Sequence, residues 1–267
     1  MLGQLDGFII DLDGTVYKGN SAIAGAKEAI DFLKSTGKRV VFLSNRGNVS
    51  RLMCQKKLVD MGIDAELDEI LLTSTVIAQY IRATHPLSKI WILGDIGLRD
   101  ELVSWGIELA AVPEAADWLV VTLHENLTYV ELNQAFRAVR SGAGIMATNM
   151  DKSFPGDDGE SIDVAGMVGA IVATTGKEVD IVIGKPSSYM AKAALQALQL
   201  PAEQCVVIGD SLVSDIRMGK QFGMRTALVL SGSTNRMDAE VAEDQPDWIW
   251  ESLFGLVEHY GRKESAV

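Results

Sequence analysis

Apolar runs of strand length alternate with segments of helical spacing along nearly the whole chain, which predicts an α/β fold with parallel sheets covered on both faces. Two further observations agree with it. Charged or hydroxyl residues, often beside glycine, stand at the ends of several runs, where such sheets bind ligands. The 267 residues, 48% hydrophobic and 22% charged, suffice for one large domain or two modest ones with their own cores.

Gly7 to Ile10 reads as the first strand, ending on acidic residues. Ala24 to Thr36 places Ala26, Ile30 and Leu33 at helical spacing before Gly37. Val40 to Leu43 is a second strand, and Ser50 to Met61, with Cys54, Leu58 and Met61 on one face, is a helix closed by Gly62. Strand runs recur at Ile90 to Leu93, Trp118 to Leu123, Ile145 to Thr148, Ile181 to Ile183, Cys205 to Ile208 and Thr226 to Leu230. Asp11, Ser44, Lys185 and Asp210 all lie at or just past strand ends. No low-complexity linker interrupts the chain, although Gly, Ser and Asp cluster at Ser141 to Gly144 and at Ser153 to Gly159.

The formal net charge of −12 argues against nucleic acid or an anionic membrane as the main partner and leaves room for a small anion if cations are supplied locally. The first residues lack a basic segment followed by an apolar stretch, and no run approaches bilayer length, so a cytoplasmic setting is expected. Cys54 and Cys205, the only cysteines, are expected as reduced thiols.

Asp11 and Asp13, one residue apart at a strand exit and followed by Gly14, can aim two carboxylates at one reacting centre. One can attack phosphorus to form an aspartyl-phosphate while the other protonates the leaving oxygen and deprotonates water. Taken alone, Asp-x-Asp-Gly fits ordinary turns and calcium loops as well. Its neighbours add weight: Val206 to Asp210 is another strand ending on a carboxylate, and Asp215 follows near the start of a helix carrying Ile216 and Met218. Helix capping by Asp215 and a turn role for Asp210 are the alternative. Carboxylates about 4 Å apart repel by about 4 kcal/mol at an effective dielectric of about 20, so a convergent set calls for a divalent cation, and all-oxygen ligands favour Mg2+. A transferring phosphoryl group also needs cations and hydrogen-bond donors on its equatorial oxygens. Ser44 and Asn45, followed by Arg46 and Gly47, and Lys185 in Gly184-Lys185-Pro186 offer them.

These four segments, in this order, resemble the motifs of the haloacid dehalogenase superfamily. Asp11-x-Asp13-Gly14-Thr15 looks like the first motif, Ser44-Asn45 the second, Lys185 the third, and Gly209-Asp210-Ser211 with Asp215 the fourth. The resemblance implies a Rossmann-like, doubly wound core with Asp11 as nucleophile, Asp13 as acid/base, Ser44, Asn45 and Lys185 as phosphate holders, and Mg2+ held by Asp11, Asp210 and the main-chain carbonyl of Asp13. Asp215 would act on the metal through water or orient Lys185. The 140 residues between Ser44 and Lys185 look like the inserted α/β cap of the NagD-like subgroup, placed at 77–180, with 1–76 and 181–267 as the core. Phe42 to Asn48, Ala147-Thr148-Asn149 and Asp163 to Met167 are similar to AraL-type sugar phosphatases. Asn149-Met150-Asp151 departs from the Asn-Pro-Asp of many relatives, which bears on substrate detail and leaves the core chemistry alone.

The cap implied by this resemblance would exclude water and read the part of the substrate that is not phosphate. Asn149 and Asp151 are candidates for sugar hydroxyls and Phe154 for a ring face, with an ordinary solvated loop as the alternative. His124 and Glu125 form a second candidate rim, or a structural hydrogen-bonding pair. The expected substrate is a small phosphorylated metabolite, most simply a sugar phosphate, with a homodimer through the cap a further use of that surface. Nucleotides, pyridoxal phosphate, phosphoryl transfer to a sugar hydroxyl, and non-enzymatic phosphate binding are the competing readings.

Overall fold

A computed structural model describes residues 2–156 and 159–264. Their strands, in chain order, are β1 Gly7–Ile10, β2 Arg39–Ser44, β3 Ile70–Leu72, β4 Ile90–Leu93, β5 Trp118–Val121, β6 Gly144–Ala147, β7 Ile181–Val182, β8 Cys205–Gly209, β9 Arg225–Val229 and β10 Trp248–Trp250, besides two short hairpins. The chain divides into two units. One takes the described residues of Met1–Ser44, Cys54–Leu71 and Lys185–Val267, the other Asn45–Met53 and Leu72–Gly184.

The first unit holds a six-stranded sheet in the order β10-β9-β8-β1-β2-β3. Every residue of β1 is buried, because a parallel strand with neighbours and helices on all sides reads as a continuous apolar run. It pairs in parallel with β8 on one side and β2 on the other. The chain builds outward from β1 through β2 to β3, then returns through β8, β9 and β10 on the opposite flank. The order therefore reverses between β1 and β8, and such a switch point opens a crevice at the carboxyl ends of the two strands. The helix Ala26–Ser35 covers the sheet with Ala26, Ala29, Ile30 and Leu33, a stripe repeating every three to four residues.

The second unit holds a four-stranded parallel sheet in the order β7-β6-β5-β4. Its core packs Leu119 and Val121 of β5 and Ile145 and Ala147 of β6 against Val139, Val168 and Ile171 of the helices Tyr129–Arg140 and Val164–Thr175. The unit is wider than the expected 77–180, chiefly because 45–53 belongs to it. Local bonds explain the difference. Thr73 Oγ1 donates to the Asn45 carbonyl (2.9 Å), Ser74 Oγ to that of Val49 (2.8 Å), and a side chain on Gly97 would collide with the backbone of Asn48 and Val49.

β3 and β10 carry too few residues to show a period and were not expected as strands. The Gly-, Ser- and Asp-rich segment contributes to a hairpin of Ser153–Gly156 with Gly159–Ile162; Asp157 and Asp158 lie outside the described residues. Cys54 and Cys205 are buried and are not joined in a disulfide. Among the described residues no helix is long and apolar enough to cross a membrane.

Buried Glu101 gathers four donors inside the second unit. It accepts hydrogen bonds from the Arg51 main chain (2.9 Å) and Nε (2.7 Å), Thr75 Oγ1 (3.1 Å) and Trp105 Nε1 (3.0 Å). Glu101→Ala leaves these donors unpaired and should destabilise the fold by about 3 kcal/mol, read as a lowered midpoint in urea. A midpoint within error of wild type would show that Glu101 is dispensable.

Candidate active site

Asp11 continues β1 by one residue, its N–H bonding to the Ile208 carbonyl at 2.8 Å, so the carboxylate emerges at the switch point. The chain then turns sharply, with the Val16 and Tyr17 N–H groups both bonding to the Leu12 carbonyl. Gly14 sits at φ +84°, and a Cβ there would stand 2.6 Å from Asp210 Oδ2. Glycine is required at this position twice over, for its conformation and for the approach of a carboxylate. On the other side of the crevice, a Cβ on Gly209 would strike Asp215. Asp215 does not lie at the start of an α-helix but within a wider π-turn, Leu212–Ile216, whose Ile216 N–H reaches back to the Ser211 carbonyl. Such turns re-aim side chains, and this one turns Asp215 into the interior.

Lys185 lies at the centre. Its Nζ donates to Asp11 Oδ1 and Asp215 Oδ1, both at 2.6 Å, and to the Leu43 carbonyl at 3.1 Å. Thr15 Oγ1 donates to Asp11 Oδ2 at 3.2 Å, and the Ser211 N–H to Asp215 Oδ2 at 3.2 Å. Asp210 accepts from the Ser233 N–H at 2.5 Å. All four charged groups are buried, and oxygens of Asp11, Asp210 and Asp215 lie within 4.8 Å of one another.

Three carboxylates thus surround one ammonium. Burial pushes the Asp11 carboxyl well above its ordinary range, Lys185 opposes that, and Asp215 and Asp210 add to it. Asp210 is raised by burial and by Asp215, against the Ser233 hydrogen bonds. For Lys185 burial works against the charge, but Asp11 and Asp215 outweigh it and hold the ammonium above its usual range. The cluster is short of positive charge, and its oxygen-only donors suit a hard divalent cation. A metal therefore fits these residues.

The remaining expected residues fall into two groups. Ser44 is buried at the end of β2 in the first unit, and the Asp13 carboxylate stands outside the buried trio, accepting from the Tyr17 hydroxyl at 3.3 Å. In the second unit, Asn45, Asn149 and Asp151 come together: Asn45 Nδ2 donates to Asp151 Oδ2 (3.1 Å), and Asn149 Nδ2 to the Asn45 carbonyl (3.1 Å). Phe154, expected to face a substrate ring, is partly buried against that unit's core. His124 is held between carboxylates, with Nδ1 2.9 Å from Asp95 and Nε2 3.2 Å from Glu131, while Thr128 and then His124 draw the Glu131 carboxyl down to about 2. Thr15 entered the sequence reading only as the last residue of the first motif, with no role of its own, and Tyr17 and Ser233 did not enter it. Ser231-Gly232-Ser233 follows β9 in the same strand-then-glycine pattern that marked the other motifs, so that signal was present.

Comparison with known proteins agrees with this geometry. Residues 8–108 match the model of the haloacid dehalogenase-like hydrolases, and 182–256 a second model described as HAD-hydrolase-like. The sugar-phosphatase AraL of Bacillus subtilis is 51% identical over 92% of this chain and 90% of its own length. The structure of a p-nitrophenyl phosphatase from Archaeoglobus fulgidus superposes with a TM-score of 0.90 at 34% identity, covering 96% of this chain and 99% of that one. NagD from Escherichia coli superposes with a TM-score of 0.84 at 26% identity, covering 94% and 97%. The chain belongs to the haloacid dehalogenase-like hydrolases and, within them, to the NagD-like phosphatases.

Proposed function

We propose that this chain hydrolyses sugar phosphates with broad selectivity, using Mg2+ and an aspartyl-phosphate on Asp11. As a NagD-like phosphatase it is a phosphoric monoester hydrolase. The observation that carries the mechanism is the buried Lys185 bridging Asp11 and Asp215 beside Asp210. In the first step the Asp11 carboxylate attacks phosphorus, the bond to the leaving oxygen breaks, and Asp13 gives that oxygen its proton. In the second, Asp13 takes a proton from water as the water oxygen attacks phosphorus, and the bond to Asp11 breaks to free inorganic phosphate. Lys185 and the Ser44 hydroxyl supply fixed donors for the equatorial oxygens, and Asp215 keeps the ammonium in place. Asp11, Asp210 and the Asp13 carbonyl would hold Mg2+, which would supply the positive charge that Lys185 alone leaves lacking.

Sugar phosphates are favoured as substrates by the 51% identity to an enzyme named for them. We place recognition of the sugar on Asn149 and Asp151, whose amide and carboxylate suit hydroxyl groups. Phosphate release screened across sugar phosphates, nucleotides and pyridoxal phosphate tests this. Faster turnover of nucleotides or pyridoxal phosphate than of every sugar phosphate would refute the substrate assignment.

Asp11→Asn should abolish Mg2+-dependent phosphate release from p-nitrophenyl phosphate while the circular dichroism spectrum stays that of wild type. Undiminished turnover would sink the nucleophile assignment.

Asp210 makes a stability prediction with a definite sign. Its carboxyl is raised above the ordinary range by burial and by Asp215, so the fold disfavours the ionised form. Metal-free stability should fall as pH rises from the ordinary carboxylate range through that raised value. At neutral pH without metal, Asp210→Asn should therefore melt about 2–4 °C higher than wild type. It should also lose the rise in melting temperature that Mg2+ gives wild type. A variant that keeps the full Mg2+ response would remove Asp210 from the metal site.

A further inference from the structure

Asp13 has the more exacting task of the two motif carboxylates, since it must present a proton to the leaving oxygen and then withdraw one from water at the same place. Proton transfer of this kind needs heavy atoms within about 2.6–3.2 Å, and small displacements are costly. Yet Asp13 stands outside the charge cluster that locks Asp11 and Asp215, and it precedes Gly14, the most permissive residue of the turn. A hydrogen bond to that carboxyl therefore bears directly on the proton transfer.

The geometry points to Tyr17 as the positioning residue of Asp13, with Lys57 strengthening its grip. This rests on the reading of Asp13 as the acid/base. Tyr17 is 3% exposed, and its hydroxyl donates to Asp13 Oδ2 at 3.3 Å. The two residues also bridge through the backbone: Gly14 N–H bonds to the Tyr17 carbonyl at 2.8 Å, and the Tyr17 N–H to the Leu12 carbonyl at 3.1 Å. Tyr17 opens a hairpin, Tyr17–Lys18 with Ser21–Ala22, which ties the ring's backbone to the turn it serves. Lys57 Nζ stands 3.7 Å from the centre of the Tyr17 ring. A cation over the face of a phenol draws electron density from it, which makes the hydroxyl a stronger hydrogen-bond donor to the carboxyl it meets. Pinning Oδ2 fixes the plane in which Oδ1 is presented.

The test uses the chemistry of the leaving group. p-Nitrophenolate departs with little protonation, whereas a sugar alkoxide needs a proton from Asp13. kcat/KM reports the first, phosphoryl-transferring step, so the two substrates separate the acid role from general damage. Tyr17→Phe keeps the ring and removes only the hydroxyl. For ribose 5-phosphate or glucose 6-phosphate, whichever wild type turns over faster, kcat/KM should fall about tenfold, a fraction of the about 10²–10⁴ that a general acid contributes. For p-nitrophenyl phosphate it should fall less than about threefold, in keeping with its small need of the acid. Lys57→Met should move the ratio in the same direction by a smaller factor. An equal fall with both substrates would reduce Tyr17 to a packing role, and no fall with either would remove it from catalysis; each result overturns the inference. Asp13→Asn, measured alongside, separates the two layers: if it retains sugar-phosphate turnover, the acid/base reading fails first and Tyr17 has nothing to position.

Discussion

The structure depends on one buried ammonium. Lys185 is placed where burial alone would discharge it, and it stays charged because Asp11 and Asp215 each approach to 2.6 Å. An ion pair taken out of water is weak evidence of stability, since desolvation offsets most of the attraction. What it provides is position: two carboxylates from distant segments must meet one nitrogen, which leaves few alternative arrangements of the loops that carry them. The third carboxylate, Asp210, makes the set electrostatically incomplete. This is the balance expected of a site whose remaining positive charge comes from elsewhere.

The topology explains why the meeting point lies where it does. Asp11 and Asp210 are 199 positions apart but follow adjacent strands, β1 and β8, at the point where the sheet changes direction. Parallel strands send their carboxyl ends to one edge, so motifs separated by a hundred residues or more arrive on the same rim. Close approach then falls to glycine: Gly14 and Gly209 each leave space that a carboxylate fills.

This is also why so much of the site could be read from sequence. A buried parallel strand is a short apolar run, and a functional side chain at its end stands out by contrast, as Asp11, Ser44, Lys185 and Asp210 did. Features without such contrast stayed hidden. β3 and β10 span three residues each, less than is needed to distinguish strand from chance. The assignment of 45–53 to the second unit rests on hydroxyls of Thr73 and Ser74 meeting backbone carbonyls, a pairing that no local pattern signals. Phe154 has a setting that no local pattern signals: an aromatic residue in a Gly- and Asp-rich stretch, it packs partly against the core.

The one visible departure from the family pattern has a local physical account. Where the resemblance implies Asn-Pro-Asp, this chain has Asn149-Met150-Asp151, and Met150 lacks the ring that fixes φ. The turn is held by side-chain bonds. Asn149 Oδ1 accepts the Asp151 N–H at 3.0 Å, the short-range bond by which asparagine shapes a turn. Asn149 Nδ2 bonds to the Asn45 carbonyl, and Asp151 Oδ2 accepts from Asn45 Nδ2. Proline would set the loop through covalent geometry alone; here its shape depends on Asn45, the residue directly after Ser44. A change of side chain at Asn45 therefore reaches the 149–151 loop.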